Sequence, residues 1–153
     1  MNPIRIAQIA VPLIAALIVG TPAARADDTP IAQIKTESGT VYATRDGKRV
    51  DLKAGDELYE KDVIDTGADG AIGLTFTDNS ILSLGPNSEV ALSEYRFDSS
   101  NFNGAMTTDI RKGTLTMVSG DIARSSPGAM KVTTPTAILG VRGTSFAVDV
   151  GGN

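Results

Sequence analysis

The sequence predicts an all-β domain of short, mostly antiparallel strands, arranged as a sandwich, a roll or a β-helix-like stack. Three observations predict it. Turn signals recur about every 8 to 12 residues after position 30, the spacing of short strands in sandwiches and barrels. Ile72, Leu74 and Phe76 alternate with Gly73, Thr75 and Thr77, the period of two that puts one set of side chains on a core face. No stretch beyond residue 30 holds helical spacing for about ten residues, and glycine and β-branched residues are too frequent for a helix.

The elements follow in order. Residues 27–35 read as a short polar lead. Thr40 to Arg45 is a strand with Val41 and Ala43 on one face, Asp46-Gly47 turns it, and Arg49 to Lys53 returns through Val50 and Leu52. The Asp-Gly pair suits a hairpin turn because glycine tolerates positive φ. After a turn at Gly55-Asp56, Ala71 to Thr77, Ser80 to Leu84 and Ser88 to Tyr95 read as three tandem strands of a meander. Asp78-Asn79 and Gly85-Pro86-Asn87 separate them. Phe97 to Gly104 is polar and reads as an exposed loop. Thr107 to Lys112 and Thr114 to Ser119 read as a pair of strands around Gly113. A loop at Ser125-Ser126-Pro127-Gly128 leads to three last strands, Met130 to Thr134, Ala137 to Val141 and Ser145 to Val150. The expected core is Ile72, Leu74, Phe76, Leu82, Leu84, Val90, Leu92, Leu115, Met117, Val132, Phe146 and Val148.

Ahead of this domain, residues 1–26 read as a secretory signal peptide. Arg5 precedes an apolar run from Ile6 to Gly20. That run is shorter than the ~20 residues a bilayer-spanning helix needs. Pro22 ends it, and Ala24-Arg25-Ala26 offers the small residues of a cleavage site. The expectation is a periplasmic or secreted protein cut after Ala26, with no stable membrane insertion once the signal is gone. A retained anchor is the alternative.

Cleavage takes two of the 14 basic residues and none of the 18 acidic ones, moving the net charge from −4 to −6. An acidic surface repels phosphate backbones, so nucleic acid is not the expected partner. The chain has no cysteine and no histidine. That removes Cys–His and Ser–His nucleophilic catalysis and any Cys/His zinc site. No catalytic, cofactor or metal residue is predicted.

Two sets of polar residues remain to be read. Asp56, Glu57, Glu60, Asp62, Asp65, Asp69 and Asp78 recur over one stretch. Hard cations take carboxylate oxygens at loop spacing, so Asp65 to Gly70 has a calcium reading. A carboxylate pair for acid–base hydrolysis is another, although tryptophan is absent and aromatics to line a sugar cleft are few. The preferred reading is that Asp and Gly define turns. Lys112 and Lys131 are read as solvated rather than as activators of a serine. Arg142, between Gly140 and Gly143, suggests a tight bend with its guanidinium held on backbone carbonyls or a carboxylate, the planar pairing arginine favours.

The segment Lys131 to Phe146, KVTTPTAILGVRGTSF, resembles the C-terminal signature of the FecR domain. Thr134-Pro135, Arg142-Gly143-Thr144 and Phe146 occupy its motif positions. Gly55-Asp56-Glu57-Leu58, Asp62 to Gly67, the strand–turn–strand unit of Ile72 to Leu84, and Gly113 to Asp121 are similar to further family elements. The resemblance covers about Thr36 to Val150, giving a domain of 36–150 and a tail of 151–153. It implies an extracytoplasmic all-β module in which Thr134, Pro135, Arg142, Gly143, Thr144 and Phe146 are mainly structural. Members of the family relay the state of an outer-membrane siderophore receptor to a sigma factor. Five residues precede Ile6, so no cytoplasmic effector segment is expected here, and no receptor-contact extension is expected past Val150. The expected function is an exported, non-enzymatic binding or sensing module with a protein partner in the cell envelope. Envelope polysaccharide or peptidoglycan binding is the alternative.

Overall fold

The computed structural model describes residues 29–143 and 145–151. The segment read as a signal peptide, Thr144 and the last two residues lie outside them. Twelve strands and one short helix follow in order. They are β1 (Ala32–Ser38), β2 (Val41–Arg45), β3 (Lys48–Asp51), β4 (Glu57–Leu58), β5 (Val63–Thr66), β6 (Ala71–Phe76) and β7 (Ile81–Leu84). Then come β8 (Glu89–Asp98), β9 (Asn103–Val118), α1 (Asp121–Ser125), β10 (Met130–Thr133), β11 (Ile138–Val141) and β12 (Ser145–Val150).

The fold is all-β and mostly antiparallel, as expected, and its organising element is β9. The first half of β9 pairs with β8 on one edge and, in the one parallel pairing among the described residues, with β10 on the other. The second half pairs with β7 and β12. One limb of the sheet therefore runs β3-β2-β5-β8-β9-β10-β11, and the other runs β4-β1-β6-β7-β9-β12. Strand twist curls the two limbs toward each other around a single core. Gly113, with φ of +85°, stands where β9 changes limbs. Ser88 Oγ packs there, accepting the Thr114 amide at 3.0 Å and donating to the Gly85 carbonyl at 2.9 Å.

Alternation explains what is inside. Ile72, Leu74 and Phe76 of β6, Leu82 and Leu84 of β7, Val90 and Leu92 of β8, Leu115 and Met117 of β9, and Val132 of β10 are all buried. Phe76 and Tyr95 stack across the two limbs with centroids 5.4 Å apart. Phe146 and Val148 are only partly buried, against expectation, because β12 is a terminal strand covered from one side. Val50, read as an apolar strand position, is 37% exposed on terminal strand β3, whereas Leu52 just beyond it is buried.

Several elements differ from the sequence reading, each because pairing overrides local pattern. Residues 32–35, read as lead, begin β1; Ala32 and Ile34 are buried against β6 despite polar neighbours. The acidic stretch holds β4 and β5. Ile72 to Leu84 does form a hairpin, but β8 leaves that meander to pair with β5 and β9. The expected loop Phe97 to Gly104 shrinks to residues 99–102, because β8 runs to Asp98 and β9 starts at Asn103. Its polar residues close the turn: Asp98 accepts from the Ser100 amide and hydroxyl, and Asn101 from the Asn103 amide. The two strands expected around Gly113 are one. Helix α1, five residues ahead of Pro127, is too short for any helical period to register.

One core position is imperfect. The Thr108 hydroxyl is buried between Leu92 of β8 and Val132 of β10 in register, and has no hydrogen-bond partner among the described residues. An unpaired buried hydroxyl costs on the order of 1–3 kcal/mol, and valine has nearly its shape. Thr108→Val is expected to raise stability by about 1 kcal/mol in urea unfolding; a loss would place a hidden partner on that hydroxyl.

Candidate functional site at the C-terminal edge

Most of the recurrent acidic residues hold structure. Asp62, 1% exposed, receives both Nε and Nη2 of Arg45 at 2.8 and 2.7 Å and the Tyr59 amide at 2.9 Å. The Arg45 guanidinium lies over the Tyr59 ring, and its pKa is raised by the Asp62 hydrogen bond. Asp56 accepts the Lys53 amide and closes a local turn, whereas Asp69 accepts the Thr40 amide and ties its turn to the one between β1 and β2. Asp65 sits on β5 with its carboxyl pushed up by burial and by Glu89 on the neighbouring strand. Among the described residues no three of Asp, Glu, His or Cys form a group that could hold a metal ion.

Asp78, fully buried, is the hub of a second network. Its carboxylate accepts from the Ser80 amide and hydroxyl and from the Ile122 amide, while the Tyr95 hydroxyl accepts the Asp78 amide at 2.9 Å. The Asp78 carbonyl accepts the Asp121 amide, so one turn ties β6–β7 to the start of α1. A side chain at Gly120 would come within 2.5 Å of the Ser80 amide nitrogen, so only glycine fits beside this turn.

Burial raises the Tyr95 pKa to about 12. An unfolded tyrosine titrates near 10. The folded chain holds this proton more tightly, so stability present below about pH 10 is expected to fall between about pH 10 and pH 12. Denaturation at stepped alkaline pH checks this. Tyr95→Phe, less stable at neutral pH, should show a shallower loss in that window.

The family-motif residues flank the last strands, Thr134-Pro135 and Arg142-Gly143 at the two ends of β11 and Phe146 on β12. The β10–β11 hairpin turns through Thr134 to Ala137. Thr134 donates its amide to the Ala137 carbonyl at 2.8 Å, and its Oγ1 accepts the Ala137 amide at 2.9 Å. Pro135 supplies the fixed φ such a turn needs at its second residue. Gly143 follows β11 with φ of +63°, a left-handed bend that favours glycine. Phe146 packs against the core from β12. Arg142 differs from expectation: its side chain is exposed and makes no hydrogen bond or ion pair among the described residues. The bend exists, with no partner for the guanidinium among the described residues. Lys131 is exposed and equally free, whereas Lys112 lies 3.7 Å from Glu89. Thr144 is outside the described residues.

Beside these cations the hairpin shows apolar surface. Ile138 is 71% exposed and Leu139 39%. The sequence did place an apolar strand here, but not its lack of a neighbour. An open cleft of about 550 Å³ lies elsewhere, lined by Glu60, Thr77, Tyr95, Phe97 and a mutually paired Glu94 and Arg96.

The FecR protein family model matches residues 62–153, from Asp62 through the whole C-terminal edge. The Gly55 to Leu58 element lies ahead of that match. No curated protein and no solved structure is significantly similar to the chain. Because the family model covers more than half of the sequence, the chain belongs to the FecR protein family.

Proposed function

We propose that this protein works outside the cytoplasm as a non-enzymatic binding or sensing module that contacts a protein of the cell envelope through its C-terminal edge. Family membership supports an envelope signalling role. The observation that carries the site is terminal strand β11, which begins at Ile138, 71% exposed, and is followed by Arg142, which has no partner among the described residues. Large exposed apolar side chains rimmed by polar groups mark interaction surfaces. The absence of His and Cys, together with carboxylates committed to turns and ion pairs, supports a binding role over catalysis.

Export is part of this reading. No helix among the described residues is long and apolar enough to cross a membrane. Mass spectrometry of the protein from its native cells should show a chain beginning at Asp27; a chain beginning at Met1 would overturn cleavage. For the contact, a photo-crosslinking residue at position 138 should yield one discrete adduct in envelope preparations. The same residue at position 48, on β3, should not. Equal labelling from both positions would remove the C-terminal edge from the proposal.

A further inference from the structure

Four strands end the sheet limbs: β3, β4, β11 and β12. A terminal strand offers unpaired amides and carbonyls, and proteins usually blunt it with charge, shortness or proline. Strand β3 carries Lys48, Arg49 and Asp51, β4 has two residues, and β12 carries Asp149. Strand β11, Ile138-Leu139-Gly140-Val141, has no charge, no proline and no bulge in its register with β10.

Its free groups can be assigned. Thr134 bonds to Ala137 across the hairpin, and Val132 faces Leu139 and Met130 faces Val141 two and four residues on. Antiparallel pairs alternate between hydrogen-bonded and non-bonded. Thr134–Ala137, Val132–Leu139 and Met130–Val141 are therefore the bonded pairs. The amides and carbonyls of Ile138 and Gly140 point away from β10, where no strand among the described residues pairs with them.

Charge says what would pair there. Several cations of this acidic protein sit on carboxylates, Arg45 on Asp62, Arg111 on Glu89 and Arg124 on Asp121, whereas Lys35, Lys48 and Lys61 have no ion pair among the described residues. Lys131, directly across from Gly140, and Arg142, at the end of β11, have no such partner among the described residues. Resting on the binding reading above, we propose that β11 accepts an extended acidic–apolar segment of the partner protein as an added antiparallel or parallel strand. Its backbone pairs with Ile138 and Gly140, its carboxylates meet Lys131 and Arg142 on the face that also carries Ile138, and its apolar side chains cover Leu139 on the opposite face. Backbone bonds supply the affinity of such strand addition and alternate side chains its selectivity.

The test uses the full mature chain and a capped heptapeptide alternating Val and Glu. Titration followed by amide NMR should shift Ile138 and Gly140 and slow their exchange. A peptide alternating Val and Lys should bind about tenfold more weakly. Gly140→Pro removes one outward amide without touching a β10 bond, and a Cβ there meets nothing within 4 Å. It should fold normally and lose binding. Lys131→Glu with Arg142→Glu should reverse the peptide preference. Shifts spread away from β11, or binding that Gly140→Pro leaves intact, would overturn strand addition. If Gly140→Pro keeps the position-138 adduct of the full chain, this inference fails while the binding reading stands. If the folded wild-type chain gives no adduct at all, both fail.

Discussion

Phe76→Ala is expected to lower unfolding free energy by about 3–5 kcal/mol, the cost of emptying a buried aromatic site. Phe76 is 3% exposed and stacks on Tyr95, so its ring joins the β6 limb to the β8 limb. Its neighbours have little room to collapse into the gap, because Tyr95 is held by its bonds to Thr77 and the Asp78 amide. Urea unfolding by circular dichroism measures the change. A loss below about 1 kcal/mol would mean that the stack does not support the core.

Gly113→Ala is expected to cost about 3–4 kcal/mol or to prevent folding. A non-glycine residue in the left-handed region pays about 1–2 kcal/mol for backbone strain alone. Here the new Cβ would also lie 2.5 Å from the Ser88 Cα. That atom is backbone, so no rotamer change relieves the clash, and the crossing point of β9 must move. Gly128→Ala is the control: its φ is also positive, at +82°, but a Cβ there meets nothing within 4 Å. It should cost only the strain. Similar losses for the two variants would show that Gly113 serves turn geometry rather than close packing against Ser88.

Together these variants separate what was legible from what was not. The alternation of Ile72, Leu74 and Phe76 reads directly as a strand face, and Asp46-Gly47 reads as a hairpin, because both signals are complete within a few neighbouring residues. The Thr134-Pro135 and Arg142-Gly143 positions were legible as a motif, and their turn and bend are where that motif places them. The role of Arg142 was not legible, since whether a guanidinium finds a carboxylate depends on chain far away in sequence. Asp62 and Asp78 looked like their turn-forming neighbours Asp56 and Asp69. Only the approach of Arg45 from β2 and of Tyr95 from β8 makes them buried hubs.

By itself the sequence determined an all-β class, most strand positions, the acidic charge and the family motif, because side-chain period, turn chemistry and charge are local properties of the chain. The tertiary structure decided which strands pair, and so that β9 serves both limbs, that residues 32–35 join the sheet, and that β11 ends it uncovered. Strand pairing is a bond between distant segments, and a strand reads the same in sequence whether its second edge is filled or open. The C-terminal segment was visible as a motif; that among the described residues it presents an edge and two cations without partners is a property of the folded sheet alone.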